Sequence, residues 1–312
     1  MSSHVVITGA TGFLGSAVLA ELLEAGVRVT ALLRPDSNCA RLAGQQGFEI
    51  LTYSRLLDEK TVHTLSESKP NIFIHCGWRG VGNSERNETF QITSNIPMTL
   101  DAIELAAAAG CQQWIGLGSQ AEYGNQNCRM SEDTPLCPTT LYGKAKVAAG
   151  VAALALCDAH KLAGVWLRVF STYGPDDAPH WLIPYVIREF LSGRTPKLTR
   201  CEQLWDYLFV ADAARAIVAV TDGTTSGVFN VGSGSARPLK DYVEAIRREL
   251  GLSLEPAYGA VPYRPDQVMH LEADIARLCG ATNWRPEVSL ARGIELTVAF
   301  ERRRAALAVA GG

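Results

Sequence analysis

No field of positive charge runs through this 312-residue sequence. Its 29 lysines and arginines face 32 aspartates and glutamates, for a net charge of −3. Nucleic acid is held largely by clustered cations that release counterions, so it is not an expected partner. Long apolar runs are also missing. The longest, "VAAGVAALALC", is too short to span a bilayer, and no membrane role is expected. No charged segment precedes an apolar stretch at the N-terminus, so no secretory leader is read and a cytoplasmic protein is expected. The eight cysteines contain no C-x-x-C pair and no metal-ligand spacing. They read as reduced thiols, with no metal site. No internal repeat or low-complexity linker is visible.

What is present is ordinary globular material, 47% hydrophobic and 20% charged, at a length that suits a nucleotide-binding domain with a smaller partner. Short β-rich runs alternate with helical ones. Residues 5–8, 28–33, 48–52, 71–77, 113–119 and 164–170 read as strands. Residues 13–25, 95–109 and 141–160 read as helices, the first two ended by Gly26 and Gly110. Such alternation predicts an α/β, Rossmann-type, doubly wound parallel sheet with helices on both faces. Ligands of such sheets sit beyond the carboxyl ends of the strands, where Gly9, Cys76, Ser119 and Phe170 stand. After residue 171 the texture becomes turn-rich. The expected division is a dinucleotide-binding domain over 1–171, rejoined by 206–231, and a smaller C-terminal substrate-binding lobe from 172–205 and 232–312.

"ITGATGFLG" places Gly9, Gly12 and Gly15 between the first strand and the first helix. Glycines there permit a tight turn and let backbone N–H groups of Thr11, Phe13 and Leu14 approach a diphosphate at a helix N-terminus. The second strand ends in Leu33, where a carboxylate would bond the ribose of NAD, and Arg34 follows. An arginine suits a 2′-phosphate, so NADP is expected ahead of NAD, although Asp36 lies close by.

"LYGKAK" sets Tyr142 and Lys146 four residues apart, on one helix face, with Lys144 turned away. An ammonium near a phenol favours the phenolate, which makes Tyr142 a usable proton donor or acceptor. Ser119, ending "GLGS", can offer a hydroxyl to the same substrate oxygen.

Together these residues resemble the extended short-chain dehydrogenase/reductase family of nucleotide-sugar epimerases, dehydratases and ketoreductases. The resemblance spans essentially the whole chain, through "TGATGFLG", "GSQAEYG", "YGKAK", "LRVFSTYGP", "WDYLFVADAARAI", "GVFNVGSG" and "YRPDQVMHLEADIARL". It implies that Ser119, Tyr142 and Lys146 are catalytic, that Cys76 and Gly77 line the cofactor, and that Val169 lines the nicotinamide pocket. It also implies a homodimer packed through two helices. Departures narrow the activity. Gln120 and Ala121 stand where the family's dehydratases carry an Asp-Glu pair. Ser171 and Trp205 replace the Asn and Arg that usually help to hold the nucleotide diphosphate, and Ser54 replaces an adenine-binding Asp. Arg264 is the expected diphosphate contact, and Trp78 and Gln120 are expected to border the sugar. The first expectation is an NADP-dependent reductase of nucleotide-linked 4-keto-6-deoxy sugars. The alternatives are a 4-epimerase with tightly held NAD and a non-catalytic dinucleotide sensor or scaffold.

Overall fold

The computed structural model describes residues 3–310. The strands of the first half are β1 (His4–Thr8), β2 (Arg28–Leu33), β3 (Glu49–Thr52), β4 (Ile72–His75), β5 (Gln113–Ser119), β6 (Cys128–Met130) and β7 (Ala163–Val169). Those that follow are β8 (Ser171–Tyr173), β9 (Leu204–Trp205), β10 (Tyr207–Phe209), β11 (Gly227–Val231), β12 (Arg237–Pro238) and β13 (His270–Ala273). The helices are α1 (Phe13–Glu24), α2 (Glu59–Ser68), α3 (Phe90–Thr93), α4 (Asn95–Ala108) and α5 (Leu141–His160). Then come α6 (Leu182–Leu191), α7 (Val210–Ala219), α8 (Leu239–Leu250), α9 (Ala276–Thr282) and α10 (Leu290–Ala310).

Seven strands form one parallel sheet in the order β11-β7-β5-β4-β1-β2-β3. The chain runs outward from β1 to β3, then restarts at β4 on the other side of β1. That reversal creates the crevice in which such folds bind ligands. Alternation along β1 divides the core. Val5 and Ile7 pack with Val18, Leu19 and Leu22 of α1 and Ala213 and Ile217 of α7. Val6 packs with Leu65 of α2, Ile103 of α4 and Ala149 of α5. Both faces are covered, so β1 and β4 are buried throughout and are mostly apolar.

A second set of elements is assembled from separated pieces of the chain. A four-stranded sheet, β12-β9-β13-β6, draws β6 from within the first 171 residues. Its helices α6, α8 and α10 enclose a second core around Ile187, Val243 and Ile294. Asp206, fully buried, accepts from the backbone N–H groups of Ser233, Gly234 and Ala273 and so knots three segments together. Of residues 206–231, β11 joins the seven-stranded sheet and α7 packs on α1, but β10 pairs with β8 in a separate ribbon. No helix of the described residues is long and apolar enough to cross a membrane.

Candidate active site

The glycine turn joins β1 to α1 with little space to spare. Gly9 has φ +71°, and a Cβ there would stand 2.6 Å from the backbone of Cys76 and Gly77. The turn after β4 therefore lies directly against the turn after β1. A Cβ on Gly15 would meet the Gly9 carbonyl oxygen at 2.1 Å, so the first helical turn also needs glycine. No side chain caps α1, and its first turn has no acidic residue. Its leading N–H groups, including those of Phe13, Leu14 and Gly15, are thus available to an anion in the way a dinucleotide diphosphate requires. The residues present fit that group.

Ser119 ends β5 opposite Val169 of β7. The chain then makes a single tight turn over residues 120–122. The Ser119 hydroxyl accepts from Ala121 N (3.2 Å), and the Glu122 carboxylate accepts from Ser119 N (2.8 Å). Thr140 caps α5 by accepting from Gly143 N at 3.1 Å. A Cβ at Gly143 would stand 2.5 Å from the Ala121 carbonyl oxygen, so α5 starts hard against the Ser119 turn. Tyr142 and Lys146 are buried on that inner face, and Lys144 is exposed.

Burial holds the Tyr142 phenol above its ordinary value. The Ser119 side chain and the Arg86 charge pull it back, and Glu122 pushes it further up. The Arg86 guanidinium lies 5.3 Å from the ring centre. This corrects the sequence reading, which made Lys146 the depressing charge. The ammonium is 5.8 Å from the Tyr142 ring centre, donates to the Leu117 carbonyl (2.7 Å), and is itself pushed down to about 7 by burial. Where it does lie close is over the Trp78 ring, 3.5 Å from its centre. Beside it, burial raises the Cys76 thiol to about 12 and lowers His75 to about 3. His75 is therefore neutral, with Nδ1 at 2.8 Å from the Thr8 hydroxyl.

The other expected contacts divide into two groups. Trp78 and Val169, both half-buried, stand at this centre, and Gln120, half-buried, follows Ser119 directly. Ser171 and Trp205 are brought together, but the Trp205 indole donates to the Ser171 hydroxyl at 2.8 Å, so each occupies the other. Arg264 is exposed on the loop before β13. Arg34 is exposed too, and its guanidinium faces Asp36 at 3.7 Å. That carboxylate partly answers the charge on which the 2′-phosphate expectation rested.

Two features escaped the sequence reading. One is a buried polar network behind Ser119. Glu122, almost fully buried, also accepts from Trp166 Nε1 (3.0 Å) and Arg168 Nε (2.9 Å). Arg168 donates on to the Tyr123 hydroxyl (3.0 Å), which donates to Asn230 (2.6 Å). The other is Arg41. It donates to the Thr11 carbonyl in the glycine turn (3.4 Å) and to the Asp176 carbonyl (3.0 Å), and pairs with the Asp176 carboxylate (3.0 Å). Its partner lies 135 residues away, so nothing local could signal it.

The chain is 29% identical to the UDP-glucose 4-epimerase of Mycolicibacterium smegmatis, over 96% of this chain and 99% of that one. It is equally 29% identical to the dTDP-glucose 4,6-dehydratase of Streptomyces griseus, over 96% and 94%. The solved structure of MoeE5 in complex with UDP-glucose and NAD is 28% identical, with a TM-score of 0.80 over 97% of this chain and all of that one. The profile of the NAD dependent epimerase/dehydratase family matches residues 5–232, a span that takes in the glycine turn, Ser119, Tyr142 and Lys146. By this match, and by the parallel sheet that carries it, the chain belongs to the NAD dependent epimerase/dehydratase family.

Proposed function

We propose that this enzyme inverts a hydroxyl-bearing carbon, C4, of a nucleotide-diphosphate sugar, using NAD that it retains through the cycle. The observation that carries the reading is the meeting of Ser119, Tyr142 and Lys146 beside an uncapped glycine turn. NAD, held by its diphosphate at the glycine turn, would supply the hydride acceptor and donor, and inversion requires the hydride to return to the opposite face of the C4 carbonyl. Tyr142 accepts the proton of the C4 hydroxyl as the hydride leaves and returns it when the hydride comes back. Ser119 donates a hydrogen bond to the same oxygen and orients it. The Ser119 hydroxyl and the Arg86 charge favour the phenolate that takes this proton, and Lys146 would hold the nicotinamide ribose. A burial-raised phenol needs that help to act as a base at neutral pH.

Three observations favour epimerisation within the family. Gln120 and Ala121 offer no acid–base pair for eliminating water. Arg41 ties the second lobe to the glycine turn, which supports a cofactor that stays bound. A UDP-glucose 4-epimerase is among the relatives matched end to end. The NADPH-dependent 4-ketoreductase expected from the sequence is the second reading, favoured by Arg34 beyond β2 and the lack of a carboxylate at Leu33. Purification separates them. Stoichiometric bound NAD with interconversion of UDP-glucose and UDP-galactose supports the first. Net NADPH oxidation by a 4-keto sugar with no retained cofactor overturns it. Tyr142→Phe should lower kcat by about 10²- to 10⁴-fold with dinucleotide binding intact, and unchanged turnover would reject the role of the phenol.

A homodimer through α4 and α5 is part of the same reading. Val151, 66% exposed, lies on α5 beside the exposed Ala148 and Ala155. Sedimentation as a monomer at micromolar concentration would reject it.

A further inference from the structure

Trp78 follows β4 on a turn that is fixed from several sides. Its indole N–H donates to Gln91 Oε1 at 2.9 Å. Gln91 and Asn95 are both fully buried. Asn95 Nδ2 donates to the same Gln91 oxygen (3.1 Å) and to the Arg79 carbonyl (2.9 Å), and its Oδ1 accepts from Arg79 N (3.0 Å). Gln91 Nε2 donates to the Gly80 and Glu85 carbonyls. Every polar atom of the two amides is thus used to hold residues 78–80 and the indole edge. Gly80 has φ +75°, with the Phe90 ring 2.6 Å from where a Cβ would stand. Buried amides satisfied this completely fix one conformation. That conformation lays the indole face against Lys146 Nζ, 3.5 Å from the ring centre, and meets the Tyr142 ring edge to face at 6.0 Å.

We propose that Trp78 is a positioning residue for the proton-transfer pair: its fixed indole face holds the Lys146 ammonium charged and in place within a buried site. This rests on the proposed roles of Tyr142 and Lys146. An ammonium over an indole is attracted by the ring quadrupole, most strongly when water is excluded. The charged and titratable groups around Lys146 are Glu122 on the turn after β5, His75 and Cys76 at the end of β4, and Tyr142 on its own helix. Burial acts against the ammonium and the Glu122 carboxylate acts for it, while neutral His75 and the Cys76 thiol, raised by burial to about 12, add no charge. The indole replaces the water that the site excludes.

The test reads Lys146 directly. Its reactivity toward acetic anhydride is followed against pH by mass spectrometry of the Lys146 peptide. Trp78→Leu keeps an apolar side chain but removes the quadrupole. It should lower the midpoint of Lys146 deprotonation by about one pH unit, a tenfold loss of ammonium above the midpoint. Trp78→Phe keeps a ring face and should shift it by less than half as much. Equal midpoints in all three proteins overturn the proposal. Should Trp78→Leu not fold, the wild-type protein is labelled with 5-fluorotryptophan, and the Trp78 ¹⁹F resonance is assigned by its loss in Trp78→Phe. That resonance should titrate with Lys146 and be flat in Lys146→Met, and a flat signal in the wild type overturns the proposal. Turnover of UDP-glucose and UDP-galactose is measured separately. No turnover of these or of other UDP- and dTDP-sugars overturns the proposed activity, whereas equal midpoints with normal turnover overturn only the role of Trp78.

Discussion

Replacing Glu122 with alanine should destabilise the protein by about 3 kcal/mol, at the low end of what breaking a buried ion pair costs. The carboxylate is 1% exposed and its Arg168 partner 8%. It accepts from Ser119 N, Trp166 Nε1 and Arg168 Nε. Without it the guanidinium stays buried and keeps only the Tyr123 hydroxyl and the Glu132 carbonyl. Removing one member of such a pair costs about 3–5 kcal/mol because the other charge is left uncompensated. The low end applies here because a cavity of about 50 Å³ already adjoins Glu122, Trp166 and Arg168. Water admitted there can take over part of the lost bonding. The assay is urea unfolding followed by fluorescence, with the change in midpoint multiplied by the slope. A paired variant, Glu122→Met with Arg168→Met, leaves no stranded charge and should lose less than half as much as Glu122→Ala. The reasoning is refuted if Glu122→Ala loses less than about 1 kcal/mol, or if the paired variant is the less stable of the two.

The remaining predictions concern Lys146 and the glycine turn. The folded protein sheds the Lys146 proton at about 7, against an ordinary 10.5, so from pH 7 upward the unfolded chain holds more protons. Stability should therefore rise with pH between 7 and 8.5, by at most about 1.4 kcal/mol per unit from this residue. Comparison of urea midpoints with Lys146→Met isolates it, and parallel curves would dismiss the effect. Gly15→Ala drives a Cβ into the Gly9 carbonyl and should weaken dinucleotide binding at least tenfold by calorimetry. Gly280→Ala, with open space around it, should leave binding unchanged, and equal affinities for the two would show that the turn tolerates a side chain.

Much of the first half was legible because its signals are local. A strand buried on both faces must be largely apolar, which is why residues 71–77 read as a strand and β4 lies within them, and the helix over 141–160 has the bounds its sequence suggested. The glycine spacing and the Tyr142–Lys146 face are also short-range. What the sequence concealed depends on distant pairings. Residues 128–130 look like loop until β13, some 140 positions later, supplies their partner. Glu122, Gln91 and Asn95 look like solvated polar residues, and only the fold shows that each is buried and fully bonded. The expected action of Lys146 on the phenol failed for a different reason. Four-residue spacing fixes a shared face, but not where a flexible ammonium settles once an indole and a carbonyl lie nearer.

The position of β11 at the end of the main sheet bears on how the chain is made. This last strand comes from residues 227–231, after the excursion that forms β8 to β10. While the nascent polypeptide leaves the ribosome, β7 is finished some 60 residues before its neighbour exists. During that interval it presents an open hydrogen-bonding edge, the kind of surface at which unfinished chains stick together. A truncated fragment ending near residue 171 would carry that open edge permanently, and is expected to aggregate rather than survive as a free nucleotide-binding unit.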